Sequence, residues 1–432
     1  MMHPDPGSAE GDHEDPAEDP PEELTADLTA EAADAPGALQ PPPLPDFPWV
    51  RSRRRVLSQP HPWLYRRMLK ETAPGLENGD EVMVLAADGT PIGRGLYHGR
   101  SMIAVRILDN NPDRPLDADF FRRWIFRAIA LRREVLALER QTDSFRVIHA
   151  EGDGLSGLIV DRFDDTLVIE YFSQAMHRRH ALIRDILLEG FPGARVLWRV
   201  DADLAAREGI PASPPPPEGE VEIRENKMRF LVRPGGGHKT GFFLDQRENR
   251  ERFASLVRGL KVLDCFCYTG AFSVASRTMG KAREVVGVDL DENAIADARR
   301  NAALNRAEVK WVHADAFKFL RAQRNAVDPF DAVVLDPSKW APNRDRLPDA
   351  LERYRDINLA GIQVLRKGGI LLTCSCSGLV SEEAFLSIIR SAAVRAGRDL
   401  QIFHVGGAAA DHPVSIHCPE SRYLKAVFAR VF

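Results

Sequence analysis

From Lys261 onward, short apolar runs alternate with stretches whose apolar residues recur every three or four positions. That is the pattern of strands joined by helices in a doubly wound parallel sheet. The strand-like runs cover 261–266, 284–289, 309–313, 330–335, 369–374 and 400–405, and a last run over 423–432 closes the chain. Upstream the period shortens. Residues 81–85 and 91–97 alternate about Asp88-Gly89, which reads as a hairpin, and 101–107 reads as another strand. Residues 117–140 then follow a helical period, with Phe120, Phe121, Trp124, Ile125, Ala128 and Leu131 on one side. Strands at 146–149, 158–163 and 166–171, a helix near 176–188 and a hairpin over 220–233 complete an α+β block. It contains a glycine-rich turn at 151–157 and a proline-rich loop at 211–217.

Residues 1–47 are Pro, Ala, Asp and Glu with almost nothing to bury, and are expected to be disordered. The organisation that follows is an acidic tail (1–47), a small β module (48–115), a helix with the α+β block (116–233) and the alternating region (234–432). No apolar run approaches the length of a membrane span. The N-terminus shows no basic segment leading into an apolar one, so a cytoplasmic location is expected.

Charge changes this picture once the tail is set aside. Thirteen of the 63 acids lie in residues 1–50, where there is no Lys or Arg, so 58 basic residues face the other 50 acids and residues 51–432 carry +8. A basic body suits a polyanionic partner. Arg51, Arg53, Arg54, Arg66 and Arg94 edge the β module, where guanidinium groups can contact phosphates in pairs.

The candidate chemistry gathers at strand ends. The loop Asp264-Cys265-Phe266-Cys267-Tyr268-Thr269-Gly270 has one glycine and one acid, and is not the glycine fingerprint that cradles a pyrophosphate. S-adenosylmethionine carries no phosphate but an ammonium, a sulfonium and a carboxylate, which suit an acid and a tight turn better. Asp289 ends the second strand, where an acid can accept from ribose hydroxyls, and Asp315 follows the third, placed for an adenine amine. A strand-end acid also commonly caps the next helix. Asp336-Pro337-Ser338-Lys339-Trp340 ends the fourth strand, and with Asp264 would flank the switch-point crevice.

The five cysteines include two C-x-C pairs, Cys265/Cys267 and Cys374/Cys376, and neither has zinc-site spacing, so no metal is expected. A thiolate adding to C6 of a pyrimidine makes C5 nucleophilic, which is one use for a thiol after the fifth strand. Free cysteines are also among the most buried residues, so packing is the other reading.

The segment Gly237-His238-Lys239-Thr240-Gly241-Phe242-Phe243-Leu244-Asp245-Gln246-Arg247 resembles the entry motif of the ribosomal large-subunit methyltransferase I family, cytosine-5 methyltransferases of 23S rRNA. The likeness continues through 151–157, the 264–270 loop, Arg355-Asp356-Ile357-Asn358, Ser375-Cys376-Ser377-Gly378, Ala410-Asp411-His412-Pro413 and Tyr423-Leu424-Lys425, covering about residues 50–432. It implies an α/β chain with a C-terminal Rossmann-like class I methyltransferase, an N-terminal PUA-type RNA-binding domain and a central α+β domain. It implies S-adenosyl-L-methionine as cofactor and 23S rRNA as partner; a monomer or homodimer is expected, which the sequence does not decide between. Cys376 falls on the family's nucleophile, with Asp336 on the base edge and Cys374 as packing. Gln246 and Arg247 would lie near the cofactor's amino-acid end, beside Asp264, Tyr268, Thr269, Gly270, Asp289 and Asp315. Lys339 joins the arginines as an RNA contact.

Two departures stand out. The family's D-P-P-K-F is here Asp336-Pro337-Ser338-Lys339-Trp340, and that segment holds no second cysteine. Another group must then remove the C5 proton, and Lys339 and His412 are the candidates. The alternative functions are methylation of a base nitrogen, which needs no thiol, and an RNA-binding assembly factor without activity.

Overall fold

The computed structural model of the chain describes residues 44–53, 61–236 and 240–432. Most of the acidic segment expected to be disordered lies outside them, as do Arg54 and the 237–239 part of the entry motif.

The first sheet contains β1 (Trp49–Ser52), β2 (Trp63–Tyr65), β3 (Leu69–Thr72), β4 (Glu81–Leu85), β5 (Pro91–Tyr97) and β6 (Ile103–Asp109). Its order is β2-β6-β5-β4-β1-β3, with the β4–β5 hairpin turning at Asp88-Gly89 as expected. Trp63, Tyr65, Val82, Val84 and Val105 are among the residues filling its core.

The second sheet has the order β10-β9-β8-β7 and is built from β7 (Ser144–His149), β8 (Leu158–Phe163), β9 (Thr166–Tyr171) and β10 (Arg195–Arg199). The helix Ala118–Ala130 packs on it through Phe120, Phe121 and Ile125. Its N-terminus is capped by Asp117, which accepts from the Phe120 amide at 2.9 Å. The single helical period read over 117–140 is broken in the structure. After Ala130 the chain makes a widened turn over Leu131–Val135, and Ala137 adopts a left-handed φ of 48°. The irregular stretch carries Arg132, which is fully buried; its guanidinium donates to Arg146 O, both Asp153 oxygens and Asp411 O. Such widened turns are rare and frequently occur at functional sites. A hairpin of β11 (Val221–Glu225) and β12 (Met228–Val232) follows.

The third sheet has seven strands, β13 (Lys261–Cys265), β14 (Glu284–Asp289), β15 (Lys310–His313), β16 (Phe330–Leu335), β17 (Leu365–Ser375), β18 (Leu400–Gly406) and β19 (Lys425–Val431), in the order β15-β14-β13-β16-β17-β19-β18. β13 to β17 run parallel, and the closing strand inserts antiparallel between β17 and β18. The strand order reverses between β13 and β16, so the ligand crevice of this fold opens at their C-terminal ends. Asp264, Asp289, Asp315, Asp336 and Cys376 all sit at or just beyond that edge. No helix among the described residues is long and apolar enough to cross a membrane.

Candidate functional site

A cleft of about 490 Å³ opens at that edge, and its wall includes Gln246, Tyr268, Thr269, Asp289, Asp315, Asp336 and Cys376. The loop from β13 to the helix Ala271–Thr278 is tight, with left-handed φ at Phe266 (62°), Tyr268 (47°) and Gly270 (83°). Gly270 is required twice over. Its φ disfavours a side chain, and a Cβ would lie 2.5 Å from the Trp311 ring and 3.0 Å from Ala298. The turn aims the Tyr268 amide at Asp289 Oδ2, 2.8 Å away, while Asp289 Oδ1 accepts from the Asp291 amide at 2.9 Å. Asp315 caps the helix Ala316–Gln323 through the Lys318 amide at 2.8 Å and also faces the cleft. Capping and a place on the wall therefore coexist in one residue.

Asp264 lies beneath the loop, 1 % exposed, and is not on the wall. Its Oδ2 accepts from Ser273 Oγ at 2.6 Å, and its Oδ1 has no hydrogen-bond partner among the described residues. Burial, aided by the nearby negative charge of Asp336, pushes its pKa up to about 7. Acids on the cleft wall, among them Asp289, Asp315 and Asp336, with the unpartnered Asp264 oxygen beneath them, fit a ligand carrying cationic and hydroxyl groups. The residues present therefore fit S-adenosylmethionine.

Gln246 Nε2 donates to Asp336 Oδ1 at 3.0 Å, and Gln246 is itself held by Asn249 Nδ2 at 2.7 Å. Arg247 is not brought to the cleft. Its guanidinium is buried against Asp411, with Nη2 2.6 Å from Oδ1. Burial alone would raise the Asp411 carboxyl, but Arg247 and His412 hold it well below the usual carboxylate range. His412 lies beside Asp411 and lines neither the cleft nor the cavity described next.

Of the five cysteines, Cys265, Cys267, Cys374 and Cys418 are buried and Cys376 alone is partly exposed. Burial pushes the Cys265, Cys267 and Cys374 thiols well above the ordinary value. Cys376 faces the cleft together with Asp336, and its Sγ lies 4.0 Å from Pro337 O. The two segments are tied together behind the thiol, where Ser377 Oγ meets Tyr354 Oη at 3.0 Å and accepts from the Ala341 amide at 3.3 Å. In the departing 336–340 segment, Trp340 packs 4.8 Å from the Tyr354 ring and near-parallel to Phe317, and Ser338 is exposed.

Cys376 also lines a second, smaller cavity of about 70 Å³, with Arg106, His149, Glu151, Lys339 and Tyr423 among its neighbours. This cavity lies between β6, the strands β7 and β8, and the segments that follow β17 and precede β19. Behind the thiol, Lys425 is buried and donates to Ser377 O and Tyr423 O, both at 2.7 Å. Burial pushes its ammonium down to about 8, against the opposing pull of the Cys376 side chain. Lys425 stood in the sequence only as part of a quoted motif, and its neighbourhood with Cys376 depends on β17 pairing with β19.

The arginines of the first sheet divide. Arg51 pairs with Glu71 at 3.2 Å and Arg94 with Glu81 at 2.8 Å, both half-buried. Arg53 and Arg66 are exposed and donate to backbone carbonyls of Leu69 and of His98 and Ser101. His61, Cys418 and Glu420 come within 4.8 Å of one another, a metal-compatible trio that spacing did not suggest. Glu420 Oε2 is 3.2 Å from His61 Nε2 and accepts from Cys418 at 3.4 Å.

A family described as S-adenosylmethionine-dependent methyltransferase matches residues 209–396, and a PUA-like domain matches residues 51–110. Over 390 residues the chain is 40% identical to the ribosomal RNA large subunit methyltransferase I of Shewanella denitrificans, covering 88% of this chain and 98% of that one. The protein of the same name from Aeromonas hydrophila is 38% identical over the same shares. Among solved structures, SMU.776, described as a methyltransferase complexed with SAH, matches with a TM-score of 0.74 at 19% identity, over 86% of this chain and 96% of that chain. At that identity the likeness speaks for the fold.

Proposed function

Because the chain belongs to the ribosomal RNA large subunit methyltransferase I family and is an S-adenosylmethionine-dependent rRNA methyltransferase, we propose that it methylates C5 of a cytosine in 23S rRNA through a covalent adduct on Cys376. The observation that carries this reading is the position of Cys376, the partly exposed thiol on a wall shared with Asp336.

The thiolate adds to C6, and the displaced π electrons make C5 nucleophilic. Asp336, held by Gln246, hydrogen-bonds the N3/N4 edge and stabilises the adduct. S-adenosylmethionine, when bound, would supply an electrophilic methyl group on its sulfonium, with S-adenosylhomocysteine as the leaving group. Asp289 and Asp315 line the part of the cleft suited to ribose and adenine, with Tyr268 and Thr269 on the same wall. The tight turn at Gly270 holds that wall in shape. Lys425 places positive charge behind the thiol, which favours the thiolate before attack and after its release. Reaching C5 requires extruding the base, at a cost of about a few kcal/mol. Exposed Arg53 and Arg66, with Lys339 at the inner cavity, are the basic groups we assign to flanking RNA in the cytoplasm.

Nucleoside mapping of 23S rRNA tests the product. RNA from cells lacking the protein should lose one 5-methylcytidine, restored by the intact gene. A missing methyl on a ring or exocyclic nitrogen would instead support the thiol-independent reading.

A further inference from the structure

A C5 methyltransferase that works through a C6 adduct must finish by removing a proton from C5. No cysteine in the 336–340 segment is available for that. The small cavity beside Cys376 offers a different group. Glu151 lines it and is 9 % exposed. Its Oε1 accepts from Ser156 Oγ at 2.6 Å, Trp63 Nε1 at 2.9 Å and Arg106 Nη1 at 3.3 Å. Its Oε2 has no hydrogen-bond partner among the described residues. Three donors on one oxygen fix the carboxylate in place and leave the other as an acceptor, an arrangement that suits a positioned base.

The other polar groups on this wall are less suited. The Lys339 ammonium has no lone pair. His149 Nδ1 takes Arg146 Nη1 at 3.0 Å, and burial holds its ring well below the ordinary imidazole value. Glu420 is more exposed and turns Oε2 toward His61 and Cys418.

Resting on the cytosine-C5 reading, we propose that Glu151 is the base that takes the C5 proton. The proton passes from C5 to Oε2. The C–H electron pair re-forms the C5–C6 double bond, the C6–S bond breaks, and its pair returns to Cys376 as thiolate. The proton on Glu151 goes to solvent as the product leaves.

The test uses full-length protein, a 23S rRNA fragment and S-adenosylmethionine. Glu151→Gln keeps an oxygen for the three donors but removes the basicity. It should lower turnover at least about a hundredfold while accumulating a denaturant-stable protein–RNA adduct whose cytosine already carries the methyl. On RNA containing 5-fluorocytidine, where no C5 proton can leave, the variant should form adduct as fast as the unaltered enzyme. Equal loss of adduct formation on both RNAs would mean that Glu151 serves only the fold or RNA docking, and would overturn the proposal. So would normal turnover, or adduct accumulation in Glu420→Gln and not in Glu151→Gln. Methylation persisting in Cys376→Ser would defeat the underlying covalent reading instead, which keeps the two failures distinct.

Discussion

Asp264 shows what burial does to a carboxylate at a strand end. In water it would be ionised well below neutrality, but beneath the loop its pKa rises from 3.8 to about 7. The sign of the resulting pH dependence follows directly. Between those two values the folded protein holds a proton that the unfolded chain has released, so ligand-free stability falls as pH rises through that window. A cation bound nearby favours the ionised form. S-adenosylmethionine affinity should therefore rise with pH through 7, and Asp264→Asn should flatten that rise. Calorimetric titration between pH 6 and 8, roughly one unit either side of the shifted value, reads both; a pH-independent affinity in the unaltered protein would contradict the assignment. Other residues were less legible. Arg247 follows Gln246 in the motif and was expected beside the cofactor, yet it reaches Asp411, 164 positions away. Glu151 stood in a recognised turn, but its meaning depends on Trp63, 88 positions earlier. Sequence shows residue types and spacing; partners this distant appear only after folding.

At the scale of elements, the strands of the third sheet were readable because each is a short apolar run ending in an acid or a polar turn. The reading of 261–266, 284–289 and 330–335 agrees with β13, β14 and β16 to within a residue. β17 begins at Leu365, earlier than expected, with a register irregularity against Phe330 and Ala332. The closing strand was found, but its place between β17 and β18 was not, because nothing local states which strands an apolar run will pair with. The broken helix after Ala130 was also missed, since a helical period does not reveal a buried arginine among its polar positions. The β13 loop makes the sharpest prediction at this scale. Gly270→Ala must place a methyl against Trp311 in a left-handed conformation costing about 1–3 kcal/mol. Melting temperature and cofactor affinity should both fall, and adding Trp311→Leu should recover part of the loss by relieving the contact. Unchanged affinity in Gly270→Ala would show that the loop does not shape the site.

At the scale of the whole molecule, the three sheets are joined by buried polar contacts rather than by flexible connection alone. Trp63 and Arg106 of the first sheet donate to Glu151 after β7, and Cys418 from the last sheet's connecting loop enters the first sheet's core. Arg146 on β7 donates its amide to Asp411, which also holds Arg247. The small cavity at this junction meets the larger cleft at one side chain, Cys376. The most direct measurement is methyl transfer to 23S rRNA by Cys376→Ser, run beside calorimetric titration of S-adenosylmethionine into the same preparation. Nearly unchanged cofactor affinity with no methyl transfer and no denaturant-stable adduct is expected; full methylation by that variant would rule out covalent catalysis by Cys376.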